Sequence, residues 1–157
     1  MTASARKPSP HRSAVDARVR LANAGARLTR ARIDVLATLL DAGEALSHHD
    51  VERRLRRGHD VDRVTLYRVL EWLTEQGLVH KVSGDDRIWR FSAAGHRPAR
   101  GGHAHFECSS CGKVICLDQA KLPSIPLPAG YRRRDVEVTI KGNCDRCAAY
   151  CRPLAVC

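Results

Sequence analysis

Seven cysteines lie after residue 107 of this 157-residue chain, and four of them form two Cys-x-x-Cys pairs. The pairs are Cys108 with Cys111 and Cys144 with Cys147. Two intervening residues let both sulfur atoms of a pair turn toward one ion, and two pairs supply the four thiolates of a tetrahedral zinc site. Disulfides need an oxidising compartment, but residues 1–14 lack the apolar segment of a secretory signal. We therefore predict a structural zinc site and a cytoplasmic location.

The charge balance indicates a polyanionic partner. The chain has 27 Lys and Arg against 17 Asp and Glu, a formal net charge of +10. Such an excess favours nucleic acid or an anionic membrane surface. Most of the basic residues precede the cysteines, and no apolar run is long enough to span a membrane. We expect a soluble chain whose basic first part contacts the partner.

Helical periodicity dominates the first part of the chain. Residues 1–14 are polar and basic and are expected to form a disordered arm. A short helix is predicted over 15–24 with Val15, Val19, Leu21 and Ala22 as its apolar positions, and Gly25 ends it. Thr29 can cap a second helix that ends near Gly43. Ser47 begins a third helix with Val51 and Leu55 as its buried stripe.

Asp62 is the expected cap of a fourth helix over 63–76. Its predicted buried face consists of Leu66, Val69, Leu70 and Leu73. Residues 78–82 and 87–91 alternate in apolar character around a short turn and predict a β-hairpin, here called the wing. Helices followed by a hairpin are typical of a winged helix-turn-helix, the domain expected over 15–92.

Residues 93–102 contain several Gly and Pro without periodicity and are expected to form a hinge. The second unit, 103–157, is predicted to have strands at 105–108, 113–117 and 135–141. A unit this small cannot bury a large core, so we expect zinc to help it fold. The predicted fold class is therefore α+β, a winged helix-turn-helix followed by a small zinc-stapled α/β module.

Several separate motifs resemble the ferric uptake regulator family of bacterial metal-dependent repressors. They are Leu28-Thr29-x-x-Arg32-x-x-Val35-Leu36, Val64-Thr65-Leu66-Tyr67-Arg68-Val69-Leu70, Gly77-Leu78-Val79, His103-x-His105-x-x-Cys108-x-x-Cys111-Gly112-Lys113-Val114 and Lys141-Gly142-x-Cys144-x-x-Cys147. The resemblance implies a homodimer in which the second unit dimerises and the winged helices bind a palindromic operator. It also implies a regulatory metal that selects the DNA-competent conformation.

The resemblance places the DNA contacts on the fourth helix. Tyr67 and Arg68 match the family's DNA-reading pair, near the start of the recognition helix. A Tyr ring can pack on a thymine methyl, whereas Arg68 can bind either a guanine or a phosphate. The residues expected at the DNA are Thr65, Tyr67, Arg68, Arg27 and Arg30.

The regulatory site is expected from three histidines and a cysteine. His103 and His105 match the family's regulatory histidines and project to the same side of a strand. His80 lies where the zinc uptake regulator branch has a ligand, and Cys116 lies where the family usually has a glutamate. Phe91 stands where many members of the zinc branch have a cysteine ligand, and Arg90 stands where iron-sensing members have a glutamate. We therefore hypothesise that His80, His103, His105 and Cys116 form the site, and that the thiolate favours zinc.

The family has a third metal site, but Gly102 and Ala104 replace its ligands, so we expect two zinc ions per chain. The sequence thus predicts a zinc-responsive repressor that is not an enzyme, with an operator DNA and a second copy as partners and no membrane. An iron-responsive or peroxide-sensing member of the family is one alternative. A thiol redox protein is another, although its Cys-x-x-Cys belongs at a helix N-terminus and both pairs here are expected beside strands or turns. The motifs of a zinc hydrolase or deaminase are absent from the sequence.

Overall fold

The computed structural model describes residues 10–55, 61–84, 86–93, 103–117, 124–134 and 136–150, without the side chains of Pro10, His103 and Tyr150. The chain divides into two compact units, residues 1–97 and 98–157. Residues 1–9 of the expected arm and residues 94–102 of the expected hinge lie outside the described residues. So do Cys151 and Cys157.

Among its described residues, the first unit has four helices and three short strands. They are α1 (Pro10–Asn23), α2 (Arg30–Ala42), β1 (Leu46–Ser47), α3 (His48–Leu55), α4 (Arg63–Glu75), β2 (His80–Ser83) and β3 (Trp89–Ser92). The predicted caps are confirmed. The Thr29 side chain accepts a hydrogen bond from the Arg32 N–H, and the Asp62 carboxylate accepts one from the Thr65 N–H at 2.9 Å. Gly43 ends α2 with φ at 63°, a left-handed conformation that glycine adopts without strain.

Helix α1 differs from the prediction in its start and in its buried face. It begins at Pro10, so residues 10–14 are helical instead of part of an arm. Proline suits the first helical position because that position needs no N–H donor. The side chains of Ser13, Ala17 and Leu21 are buried, whereas Val15 and Val19 are half exposed. Small side chains four residues apart let α1 pack closely on α2, and this packing outweighs the larger apolar area of the valines.

The wing is part of a three-stranded antiparallel sheet in the order β1-β3-β2. Lys81 pairs with Phe91, and Leu46 of β1 pairs with the same residue from the other side. Strand β1 was not predicted, because two residues carry no periodicity. One core unites the helices with the sheet. Its buried residues include Val35, Leu36, Leu39, Leu46, Val51, Leu55, Leu66, Leu70, Leu73, Val79 and Phe91.

In the second unit, the described part of the chain forms a three-stranded sheet and a short helix that follows it. Its elements are β4 (His103–Cys108), β5 (Val114–Leu117), β6 (Glu137–Gly142) and α5 (Asp145–Tyr150). Strand β4 is central, antiparallel to β5 and parallel to β6. The three strands occur where the sequence predicted them, but α5 was not predicted. The α+β fold class is confirmed.

Few apolar side chains are buried in the second unit. Its buried side chains among the described residues are Ala104, His105, Glu107, Cys108, Val114 and Cys144. Two of these are cysteines of the Cys-x-x-Cys pairs, and two are polar. Ile125, Leu127 and Tyr131 are exposed. The apolar core formed by the described residues is small, so we expect a bound ion to contribute to the folding of this unit.

Candidate metal centre and nucleic-acid interface

The four cysteines of the two Cys-x-x-Cys pairs come together in the second unit. Cys108 ends β4, Cys111 lies in the following turn, Cys144 precedes α5 and Cys147 lies within it. Their sulfur atoms all lie within 4.8 Å of one another, and those of Cys111 and Cys144 are 3.8 Å apart. Sulfur atoms at Zn–S distances of about 2.3 Å are about 3.8 Å apart in a regular tetrahedron. The donor set therefore fits a tetrahedral zinc ion.

Backbone geometry prepares this cluster for a cation. The Cys144 N–H donates to the Cys108 sulfur at 3.3 Å, and the turn between Cys108 and Cys111 is closed by the Gly112 N–H on the Cys108 carbonyl at 2.8 Å. The N–H of Cys144 lowers the pKa of the Cys108 thiol to about 6. Hydrogen bonds with the thiols of Cys144 and Cys111 raise the pKa of Cys147 to about 12. The Cys108 thiol is therefore readily deprotonated, and the neighbouring thiols can release their protons when a metal ion binds.

A second pair of donor groups lies on β4 and β5. His105 and Cys116 are direct cross-strand partners in the antiparallel register, and a ring nitrogen and the sulfur lie within 4.8 Å. His105 is buried, and its Nε2 lies 3.9 Å from the Glu137 carboxylate on β6. His103 begins β4 opposite Glu137 in the parallel register, but its side chain is outside the described residues. This end of the sheet therefore offers an imidazole and a thiol to one ion.

Three residues of the first unit bear on the metal hypothesis. His80 is the first residue of β2 and pairs with Ser92. Phe91, at a position where a cysteine ligand is usual, is buried in the core at 1% exposure. Arg90, where a glutamate is usual, binds both carboxylate oxygens of Asp86, at 2.9 and 2.6 Å. This contact lowers the pKa of Asp86 to about 2. Phe91 is therefore part of the core, and Arg90 holds the wing turn through Asp86.

The residues expected at the recognition helix line the first turns of α4. Tyr67 is 48% exposed, and its ring stacks on that of His48. Arg68 is exposed. The Thr65 hydroxyl donates to the Asp62 carboxylate, and this hydrogen bond lowers the pKa of Asp62. Thr65 is thus part of the helix cap, while Tyr67 and Arg68 are presented to solvent.

The two arginines expected at phosphates differ in their surroundings. Arg27 is exposed before α2, and its carbonyl accepts a hydrogen bond from the Arg32 guanidinium at 3.1 Å. Arg30 forms an ion pair with Asp34 at 2.7 Å. A phosphate must compete with that carboxylate for Arg30, so Arg27 is the better phosphate donor of the two.

Sequence reasoning missed two features of these sites. The second Cys-x-x-Cys enters a helix, contrary to the expectation that both pairs lie beside strands or turns. Helix α5 is too short for apolar periodicity to reveal it. His48 was interpreted as a surface residue, but its ring contacts both Tyr67 and Phe91. Stacking between α3 and α4 leaves no pattern in the sequence.

A winged helix with an exposed recognition face, joined to a unit with a four-cysteine cluster, defines a metal-binding transcription regulator. The model of the ferric uptake regulator family matches residues 23–132. The transcriptional regulator FurA of Mycobacterium tuberculosis is 31% identical over 136 residues, which cover 82% of this chain and 87% of that protein. The ferric uptake regulation protein of Shigella flexneri is 28% identical over 132 residues, covering 79% and 85%.

Solved structures have the same fold. A zinc uptake regulator complexed with zinc and DNA has a TM-score of 0.64 at 24% identity and covers 92% of this chain and 98% of its own. The ferric uptake regulator from Pseudomonas aeruginosa with manganese has a TM-score of 0.57 at 25% identity, covering 82% and 98%. The chain belongs to the ferric uptake regulator family. It is accordingly a metal-responsive transcription regulator and not an enzyme. Among the described helices, none combines the length and apolarity needed to cross a membrane.

Proposed function

We propose that this protein is a zinc-responsive repressor that binds palindromic operators of metal-uptake genes as a homodimer in the cytoplasm. The observation that carries the choice of metal is the pairing of His105 with Cys116 across β4 and β5. A thiolate among the sensing ligands favours zinc over iron, because iron sites of this kind rely on nitrogen and oxygen donors. The likeness to a zinc uptake regulator supports the fold on which this proposal rests.

Two zinc ions per chain have different roles in the proposal. The four thiolates of Cys108, Cys111, Cys144 and Cys147 hold a structural ion that remains bound. His80, His103, His105 and Cys116 hold a regulatory ion whose occupancy follows the free zinc concentration. Binding of that ion selects the conformation in which two winged helices match two half-sites of a palindrome. The zinc-loaded dimer then represses metal-uptake genes when zinc is plentiful.

Helix α4 is the recognition helix in this proposal. Tyr67 contacts a thymine methyl, and Arg68 donates to a guanine or to a phosphate. Arg27, Arg30 and Thr65 complete the interface, with Thr65 fixing the first turn of the helix through Asp62. The excess of basic residues predicts an affinity that falls steeply with salt.

The proposal is tested by operator binding during metal titration. Full-length protein with one zinc per chain is titrated with Zn(II) or Fe(II), each buffered near its cytosolic free concentration, and binding to an A·T-rich palindrome is measured. We expect zinc alone to switch binding on. Cys116→Ser should lose the switch and the second, weaker zinc site, whereas Cys116→His should keep both because imidazole also binds zinc. His49→Ala, a change at an exposed histidine of α3, is the control.

An iron-responsive function is the second candidate, because curated relatives such as that of Shigella flexneri are named as ferric uptake regulation proteins. The variant Cys116→Glu separates the two candidates, since it restores the oxygen donor usual at this position. We expect it to shift the metal preference from zinc toward iron. If the unchanged chain already responds equally to iron at its cytosolic level, or if Cys116→Ser keeps the zinc switch, the zinc proposal is wrong.

A further inference from the structure

Three aromatic rings connect the core of the first unit to the exposed face of α4. Phe91 is buried, and its ring lies nearly perpendicular to that of His48, with centroids 4.6 Å apart and an interplanar angle of 79°. The His48 ring also stacks on that of Tyr67, with centroids 4.0 Å apart and an interplanar angle of 19°. The rings therefore form a continuous series from a rigid core residue to a half-exposed one.

The charge state of His48 suits this stack. Burial, and next the charge of Lys81 on β2, lower the pKa of His48. The lowered pKa favours the uncharged imidazole, which stacks as a neutral aromatic group. His48, the first residue of α3, thus contacts α4 by stacking its ring on that of Tyr67.

We propose that His48 is a positioning residue for DNA recognition, holding the Tyr67 ring in the orientation that meets a thymine methyl group. This inference rests on the proposed function, because it takes α4 as the recognition helix. A half-exposed tyrosine rotates about two side-chain bonds, and its immobilisation costs free energy on binding. A ring fixed by a stack in the unbound protein has already lost that freedom, so less affinity is lost on binding.

A stack that only stabilised the fold would make a different prediction from a stack that orients Tyr67. Loss of a structural contact lowers the affinity for every operator alike or leaves it unchanged. Loss of orientation removes the discrimination between thymine and uracil, which differ only by the methyl group that the tyrosine contacts. The discriminating measurement is therefore the effect of uracil at single operator positions.

The experiment uses full-length, zinc-loaded protein and operators in which each thymine of a half-site is replaced in turn by uracil. For the unchanged chain we expect a loss of about two- to tenfold in affinity at the contacted thymine. His48→Ala should bind the thymine operator roughly two- to tenfold more weakly and show no further loss with uracil. His48→Phe should restore the uracil sensitivity, because it keeps a planar ring. His49→Ala should behave like the unchanged chain.

Several outcomes would overturn the inference. Uracil sensitivity of full size in His48→Ala means that the stack does not orient Tyr67. His48→Gln, which also lacks the aromatic ring, decides the question if the alanine variant does not fold. Sensitivity that persists in Tyr67→Ala shows that another residue reads the methyl group, and the metal-dependent repressor function then stands without this inference. A chain that binds no operator at any metal level overturns the proposed function as well.

Discussion

The two units of this chain differ in what stabilises them. The first buries a continuous apolar core from four helices and the wing sheet, and α2 and α4 start at capping residues. The second buries few apolar side chains, and its best-defined cluster consists of thiols. Hydrophobic burial can stabilise the first unit alone, whereas we expect the second unit to depend on an ion bound by its thiols. We therefore expect the first unit to fold without metal and the second to fold around the ion.

The chain contains probes that observe each unit separately. Both tryptophans, Trp72 and Trp89, belong to the first unit, and all seven cysteines belong to the second. Tryptophan fluorescence thus reports unfolding of the first unit. Absorption from Co(II) bound by thiolates reports the cysteine cluster of the second.

The largest effect is expected from Cys144→Ser. Structural zinc contributes an apparent free energy of about 10–16 kcal/mol in small zinc domains, so loss of one of four thiolates should unfold the second unit. We expect the tetrahedral Co(II) spectrum to be lost and the second unit to become susceptible to protease, while the thermal transition seen by tryptophan fluorescence is unchanged. Cys116→Ser is the matched control and should keep the structural spectrum. A second unit that stays protected in Cys144→Ser would remove the contrast between the units.

Leu70→Ala should destabilise the first unit and leave the second unit unchanged. Leu70 is fully buried in α4, and replacing a buried leucine with alanine leaves a cavity and costs about 2–5 kcal/mol. Chemical denaturation followed by tryptophan fluorescence should show this loss, while the Co(II) spectrum is unchanged. Val64→Ala lies on the same helix at 60% exposure and should cost less than about 0.5 kcal/mol. A change in metal binding by Leu70→Ala would show that the units do not fold separately.

Asp86→Asn should have the smallest effect, confined to acid. The contact with Arg90 lowers the pKa of Asp86 from 3.8 to about 2. A depressed carboxyl pKa stabilises the folded state above pH 3.8, and that contribution is lost as the pH falls toward 2. The variant should therefore be slightly less stable near neutral pH, and the difference from the unchanged chain should disappear in acid. Denaturant midpoints from tryptophan fluorescence measure this, with Glu71→Gln, at an exposed position of α4, as the control.

Local signals explain what the sequence predicted correctly. The side chains of Thr29 and Asp62 cap helices by accepting hydrogen bonds from the N–H groups three residues ahead. Each cap is therefore visible within a few residues of sequence. The spacing within each Cys-x-x-Cys pair likewise predicts which thiols share an ion. The two cysteine pairs meet because β4 and β6 are parallel neighbours. The alternation of apolar and polar residues predicted both of these strands.

Packing explains what the sequence could not predict. The buried face of α1 follows Ser13 and Ala17, because close approach of two helices selects small residues over exposed valines. The place of His48 between two rings depends on the crossing of α3, α4 and β3, which no local pattern records. The pairing of His105 with Cys116 depends on the register of two strands. Such features need the three-dimensional arrangement.

The parallel pairing of β4 with β6 has a consequence for how fast the second unit forms. Antiparallel β4 and β5 are joined by a tight turn that contains Cys111, so the hairpin closes a short loop. Strand β6 returns only after β5 and the whole segment that follows it, and long loops slow the formation of a contact. We therefore expect the first cysteine pair to form early and to bind an ion before the second pair joins it. We expect refolding of this unit to accelerate with zinc concentration, while the winged helix refolds at a rate independent of metal.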